Sequence, residues 1–290
     1  MTLLPGIVFP SSPVSSDALE AGLRLLPAHK SFPPAACEWP FLAGSDHDRT
    51  QRMCDALRDP EVGVLVAARG GHGALRLDRS LILEHLRRHP KPIVGFSDVT
   101  ALHLLWQTAG VLSVTGPNVT QLPTLPEAHT ARLTHLFEHG ELPELQVELT
   151  VHGDPPGRVL CGPMTGGNLT VLAAMAGTPW SGSFTGRIVV LEEIREAPYR
   201  LDRMLWQVLH ATDLKRAEAI VFGEFTQCPD FRMDLLLATC RQFAPEVPLF
   251  TGFPAGHGAQ NVAFVTGLAA RIDARCGTLT QPPAGVLHTP

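Results

Sequence analysis

The sequence predicts an α/β protein whose parallel sheet is covered by helices on both faces. Two observations carry this. Short apolar runs of strand length alternate with stretches of helical pattern along the chain, the signature of βαβ units. The run Val62–Ala68 is continuously apolar, as a strand buried on both faces must be. A third observation concerns organisation. Around Gly140–Gly157 the texture turns rich in Glu, Pro and Gly, which places a linker at 141–158 between domains 1–140 and 159–290.

The elements follow in order. Gly6–Phe9 reads as a strand ending in a Pro-Ser-Ser-Pro loop. Asp17, with Glu20 after it, offers a capping box for the next helix. Ser45 or Asp46 starts a helix through Leu57, and Pro60 ends it. The strand Val62–Ala68 leads into the loop Arg69-Gly70-Gly71-His72-Gly73. Ile93–Phe96 is the next strand and Thr100–Gln107 an apolar helix. Leu145–Val151 alternates like an edge strand. Beyond it come a helix after Asn168, a strand at Arg187–Glu192 and a helix at Tyr199–His210. A strand at Ala219–Gly223, a helix at Met233–Phe243 and a strand at Val247–Gly252 follow. The last 15 residues are rich in Gly, Thr and Pro, a composition that frays.

Composition narrows the function classes. The chain has 290 residues, 44% hydrophobic and 18% charged, which is globular. Its 23 basic and 28 acidic side chains leave a formal charge of −5. With no basic block, it is a poor partner for nucleic acid or an anionic membrane. No apolar run reaches the ~18 residues of a membrane span. The N-terminus has no basic stretch and carries Pro5 and Pro10 early, so it does not read as a signal peptide. Cys37, Cys54, Cys161, Cys228, Cys240 and Cys276 form no C-x-x-C pair. That argues against a disulfide framework and a zinc ribbon, and for thiols in a reducing cytoplasm. The histidines show no metal spacing, and His29, His47, His85 and His89 read as surface residues. No cofactor or metal is expected.

Four segments carry residues suited to chemistry. Ser97, in Gly95-Phe96-Ser97-Asp98-Val99, lies on a strand-to-helix turn like a nucleophile elbow. Val99 stands where the second glycine of that pattern would be, and a serine there also serves as a plain cap. The loop Gly70–Gly73 lets backbone approach a ligand. Its N–H groups, with that of Asp98, could form an oxyanion hole; the plainer reading is a tight turn. Glu192 and Glu193 stand at a strand tip, where open α/β sheets bind ligands; the plainer reading is a solvated acidic turn. His257, between Gly256 and Gly258, suits a general base at neutral pH or an exposed loop. Ser97, Glu192 and His257 occur in the order serine, acid, base.

These segments resemble the LD-carboxypeptidases and the related microcin C immunity peptidases, a serine peptidase family. The resemblance rests on Ala68-Arg69-Gly70-Gly71-His72-Gly73, Gly95–Leu102, Gly166-Gly167-Asn168-Leu169, Leu191-Glu192-Glu193, Pro198–Leu205 and Gly256-His257. It implies a smaller, β-rich C-terminal α/β domain, where the residue pattern alone continues the alternation, and an active site in the cleft between the domains. It implies Ser97 as nucleophile, Glu192 as acid, His257 as base, and the N–H groups of Gly71 and Asp98 as the oxyanion hole. The implied substrate is a murein tetrapeptide that loses a terminal D-amino acid, typically D-Ala, in cytoplasmic peptidoglycan recycling, without a metal. A homodimer is also implied. Gly70, Asn168 and Arg200 are candidates for holding the substrate carboxylate; Arg203 reads equally as structural. His72 replaces a usual Tyr, Thr115-Gly116-Pro117 a usual His-Gly-Pro, Glu193 directly follows Glu192, and the region before Phe41 is short. A second reading within the fold is hydrolysis of peptidyl- or aminoacyl-sulfamoyl adenylates, which needs an aromatic platform from Trp39, Trp106 or Trp180. A third is a non-catalytic ligand-binding protein.

Overall fold

The structure is a computed structural model that describes residues 2–154 and 157–285. It comprises two compact units: one holds the described residues of 2–143, 262–265 and 283–285, the other those of 144–154, 157–261 and 266–282.

The first unit begins with β1 (Leu4–Val8), α1 (Ser16–Leu23) and β2 (Lys30–Phe32). α2 (Asp46–Arg58), β3 (Val62–Ala67), α3 (Arg79–Arg88) and β4 (Ile93–Gly95) follow. α4 (Thr100–Ala109), β5 (Ser113–Thr115), α5 (Glu127–His139) and the short β6 (Glu141–Leu142) complete the run. The cap of α1 is Ser15, which accepts the Ala18 N–H, and not the expected Asp17, which lies in the first turn. Ser45 caps α2 by accepting the Asp48 N–H at 3.1 Å. α4 is buried at every position from Thr100 to Trp106 and ends on Gly110 in the left-handed region, φ +73°.

The second unit opens with β7 (Leu145–Glu148) and β8 (Thr150–His152), both within the stretch read from sequence as a linker. It continues with β9 (Val159–Asn168), α6 (Leu169–Met175), β10 (Ile188–Ile194) and α7 (Pro198–Ala211). β11 (Ala219–Thr226), α8 (Met233–Phe243) and β12 (Leu249–Thr251) come next. β13 (Phe264–Thr266) joins the sheet of the first unit, and β14 (Ala269–Asp273) and β15 (Thr278–Gln281) return to the second. β16 (Ala284–Gly285) pairs with β6. The chain end expected to fray thus contains two strands, and its residues 286–290 lie outside the described residues, as do 155 and 156 of the expected linker.

The first sheet has the order β13-β5-β4-β3-β1-β2. The pairs from β2 through β5 are parallel. Its core is apolar, with Ile7, Val64, Leu65, Ile93, Val94 and Val114 under 2% exposed. The second sheet has eight strands in the order β7-β15-β14-β9-β10-β11-β12-β8. β9 to β12 run parallel, and the flanking pairs are antiparallel. Only Leu149 separates β7 and β8, yet they occupy opposite edges. The sheet must therefore curl until its edges approach, close to a barrel. The second unit is accordingly β-rich, which the alternation of residues alone does not predict.

Both sheets gather the candidate site residues toward the carboxyl ends of their parallel strands. Ser12, Gly70–Gly73, Ser97 and Asn118 follow the carboxyl ends of β1, β3, β4 and β5. Asn168 and His257 lie at or beyond the carboxyl ends of β9 and β12, and Glu192 and Glu224 within the last three residues of β10 and β11. Open parallel sheets bind ligands at that end because connections diverge there and leave a crevice.

Candidate active site

In the first unit the chain leaves β4 through Phe96 and turns sharply at Ser97, whose φ is +65°. Ser97 is half-buried in an otherwise buried run from Pro92 to Thr100, so the fold holds this one hydroxyl within reach of solvent. A 3-10 turn, Ser97–Val99, leads into α4. The backbone N–H of Asp98 thus stands at a helix start, where N–H groups and the positive dipole end favour an anion.

The glycine loop is fastened to this turn. Asp98 is buried, and its Oδ2 accepts the Ala74 N–H at 2.8 Å. Ser12 Oγ accepts the His72 N–H at 3.0 Å, and Ser12 N donates to Gly70 O at 3.3 Å. Gly71 and Gly73 have φ +111° and +126°, a region that side chains disfavour. Gly71 is exposed.

Residues that the sequence did not single out hold this arrangement. Arg49 is fully buried and donates to the carbonyls of Gly44, Gly73 and Pro10, with Asp46 Oδ1 at 2.6 Å as its ion partner. It ties the loop after β1, the start of α2 and the glycine loop to one guanidinium. Asn118 Oδ1 accepts the Phe96 N–H at 3.3 Å. His103 on α4 is buried, with Nε2 2.8 Å from Gly95 O and Nδ1 2.9 Å from Ser113 Oγ. A carbonyl only accepts, so Nε2 carries the proton and Ser113 donates to Nδ1. Burial pushes the His103 imidazole down to about 4, which keeps it neutral. A histidine inside the apolar run Ala101–Trp106 was the available signal. Arg49 gave none, because its helix reads as a charged surface helix.

In the second unit His257 Nδ1 lies 2.8 Å from Glu192 Oε2. Glu192 is 4% exposed, and its Oε1 is buried without a hydrogen-bond partner among the described residues. Glu193 points elsewhere, as successive strand residues must. Its Oε1 accepts from Asn168 Nδ2 and Ile194 N, and its Oε2 from Thr170 N at 2.7 Å. Burial raises the Glu193 carboxyl, while these donors pull it down. Asn168, considered above for the substrate carboxylate, caps α6 and braces Glu193. Arg200 is exposed beside Glu196 and Tyr199.

Trp106 is no platform: it is fully buried, with its indole N–H donated to Lys91 O at 2.7 Å. Trp39 is 45% exposed and lies 5.6 Å from Phe41, which lies 5.9 Å from the exposed His72 ring. Trp180 is half-buried. Of the histidines expected at the surface, His47 and His89 are exposed, whereas His29 and His85 are half-buried. Cys54 and Cys240 are buried, and burial pushes their thiols up to about 11 and about 12, which keeps them protonated and inert. Among the described residues, no three His, Cys, Asp or Glu side chains are grouped to hold a metal ion.

A family model described as the LD-carboxypeptidase N-terminal domain matches residues 6–116, and one for the C-terminal domain matches 161–272. The chain belongs to the LD-carboxypeptidase family. It is 34% identical over 285 residues to the murein tetrapeptide carboxypeptidase of Pseudomonas aeruginosa, covering 92% of each chain. It is 28% identical to a probable murein peptide carboxypeptidase of Bacillus subtilis, covering 92% of this chain and 88% of that one. Among solved structures, the muramoyltetrapeptide carboxypeptidase of Oxalobacter formigenes superposes with a TM-score of 0.81 at 30% identity, over 96% of this chain and 98% of that one. The microcin C7 self-immunity protein MccF superposes at 0.79 and 16% identity over 96% and 95%, a likeness of fold alone. This LD-carboxypeptidase fold accounts for the β-rich second unit that the residue pattern left as a continuing alternation. No helix among the described residues is long and apolar enough to cross a membrane.

Proposed function

We propose that this LD-carboxypeptidase family member removes the terminal D-amino acid, D-Ala in the reading we favour, from a murein tetrapeptide. Ser97 is the nucleophile, His257 the general base and Glu192 the carboxylate that orients it. The observation that carries the reading is the 2.8 Å contact of His257 Nδ1 with Glu192 Oε2. It fixes the tautomer with Nδ1 protonated, leaving Nε2 as the basic nitrogen, as a serine hydrolase requires.

In this mechanism His257 Nε2 takes the Ser97 proton as Oγ attacks the scissile carbonyl. The oxyanion is met by the N–H groups of Gly71 and Asp98, each typically worth about 3–4 kcal/mol. His257 then protonates the departing amine, and water, deprotonated by His257, hydrolyses the acyl-enzyme. Gly70 backs Ser97 directly, Asn168 caps α6 and braces Glu193, and Arg200 stands exposed beside Glu196 and Tyr199; all three stay candidates for the substrate carboxylate. The reading places the protein in the cytoplasm, where its substrate would arise from recycled wall, and as a homodimer.

The test is incubation with L-Ala-D-Glu-meso-diaminopimelyl-D-Ala, with chelator present, read by mass spectrometry. Loss of one D-Ala with wild type, and none with Ser97→Ala, is expected. One observation favours a second substrate, an aminoacyl-sulfamoyl adenylate: the exposed ring run Trp39, Phe41 and His72 offers faces on which a base could stack. Cleavage of that compound without loss of D-Ala would select it. Binding of the tetrapeptide with no turnover of either substrate would select a non-catalytic binder.

A further inference from the structure

A second carboxylate is built against the histidine loop. Pairing of β10 with β11 keeps step up to Leu191 opposite Phe222 and resumes with Glu193 opposite Phe225. Gly223 and Glu224 therefore both face the single Glu192. An extra residue of this kind bends the strand and re-aims a side chain. Here it brings Glu224 to the loop that carries His257. Glu224 N donates to Ala255 O at 2.9 Å, and Glu224 Oε2 accepts the Gly258 N–H at 2.9 Å. The Gln260 backbone N–H also reaches this carboxylate. A Cβ on Gly256 would stand 2.8 Å from the Glu224 Cβ, and one on Gly258 would run into the carboxylate itself. The glycines on both sides of His257 are thus fitted to Glu224. Burial raises the Glu224 carboxyl, the two backbone N–H groups lower it, and Glu192 and His257 are the titratable groups that face it.

We propose that Glu224 is a positioning residue for the base: by accepting backbone N–H groups it holds the loop so that His257 Nδ1 meets Glu192. The proposal rests on His257 acting as the base. A loop bounded by glycines has many conformations. Without an anchor the imidazole would sample positions away from Glu192, and misplacement of about 1 Å costs on the order of a hundredfold in rate. Glu224 touches neither substrate nor reacting atoms in this scheme, so its effect falls on kcat and not on KM.

The test compares Glu224→Ala and Glu224→Gln in the full chain by two readouts. One is kcat and KM on the tetrapeptide. The other is the low-field proton resonance of the His257 Nδ1–H to Glu192 hydrogen bond, recorded without substrate. Glu224→Ala should lower kcat about ten- to a hundredfold with KM within about threefold, and broaden or abolish the resonance. Glu224→Gln keeps one oxygen for the Gly258 N–H and should restore the resonance and most of kcat. An Ala variant with kcat within about twofold of wild type and an intact resonance overturns the proposal. So does a Gln variant no better than Ala. If the Ala variant fails to fold, an undiminished resonance in Glu224→Gln supports the anchor and its loss overturns it. If wild type leaves the tetrapeptide uncut, the substrate reading fails, and the resonance still decides the role of Glu224.

Discussion

Gly70 and Ser97 are in direct apposition: a Cβ built on Gly70 would lie 2.9 Å from the Ser97 Cβ and 3.2 Å from its Oγ. Gly70 is needed here because the Ser97 turn occupies the space of its side chain. Gly70→Ala is expected to push Ser97 aside, lowering kcat about tenfold or more. Overpacking should cost about 1–3 kcal/mol of stability. Kinetics and denaturant melts check both, and unchanged kcat would show that the turn yields freely.

Ser97 holds φ +65°, a conformation that costs a non-glycine residue about 1–2 kcal/mol. Glycine removes that strain and loses about 0.4–1 kcal/mol to its freer unfolded chain. Ser97→Gly should therefore melt at or above wild type while losing peptidase activity. Ser97→Ala keeps the strain and should melt near wild type. A clear drop in Tm for the glycine variant would mean the turn is not strained.

Arg49 and Asp98 fasten the glycine loop from two sides. Arg49→Met would leave the carbonyls of Pro10, Gly44 and Gly73 without this donor, costing on the order of 3 kcal/mol or more. Lys should rescue poorly, since its point charge cannot fork to several acceptors. Asp98→Ala orphans the buried Ala74 N–H, costing about 1–3 kcal/mol, whereas Asp98→Asn keeps an oxygen and should lose less. Urea melts of these variants test the ranking.

His103 gives the protein an acid-sensitive core. Its imidazole sits at about 4 when folded, against 6.5 as a model group. The unfolded chain therefore binds the proton more readily, so stability rises with pH across this window. The contribution is fully present above pH 6.5 and is lost as pH falls from there through about 4, a span worth about 3 kcal/mol. His103→Gln should lack this dependence, although its neutral-pH stability will be lower. Urea melts between pH 4 and pH 7.5 would show it, and identical slopes for both proteins would refute the assignment.

Local patterns were legible because they act over a few residues. α8 spans Met233–Phe243, the bounds read from the sequence, and β3 covers Val62–Ala67 of the continuous run Val62–Ala68. The turn at Ser97 was readable from a strand followed at once by a helix. The α1 cap was misplaced by two residues because Ser15 and Asp17 are both able caps and only backbone geometry chooses between them. The strands β7 and β8 were partly hidden because each is short and gains its stability from a distant partner, β15 and β12 respectively.

The sequence by itself determined the alternation of elements, the two glycine-rich loops and the serine, acid and histidine each beside a turn. These depend on side-chain period, φ preference and helix starts, which neighbouring residues set. Only the tertiary structure decided which polar group serves which neighbour. Glu192 and Glu193 are chemically alike and adjacent, yet strand alternation sends one to His257 and the other to Asn168 and Thr170. Arg49 and Glu224 look like ordinary charged residues until remote loops fold over them. A carboxylate or guanidinium takes its role from the donors and acceptors that meet it, and long-range packing brings those together.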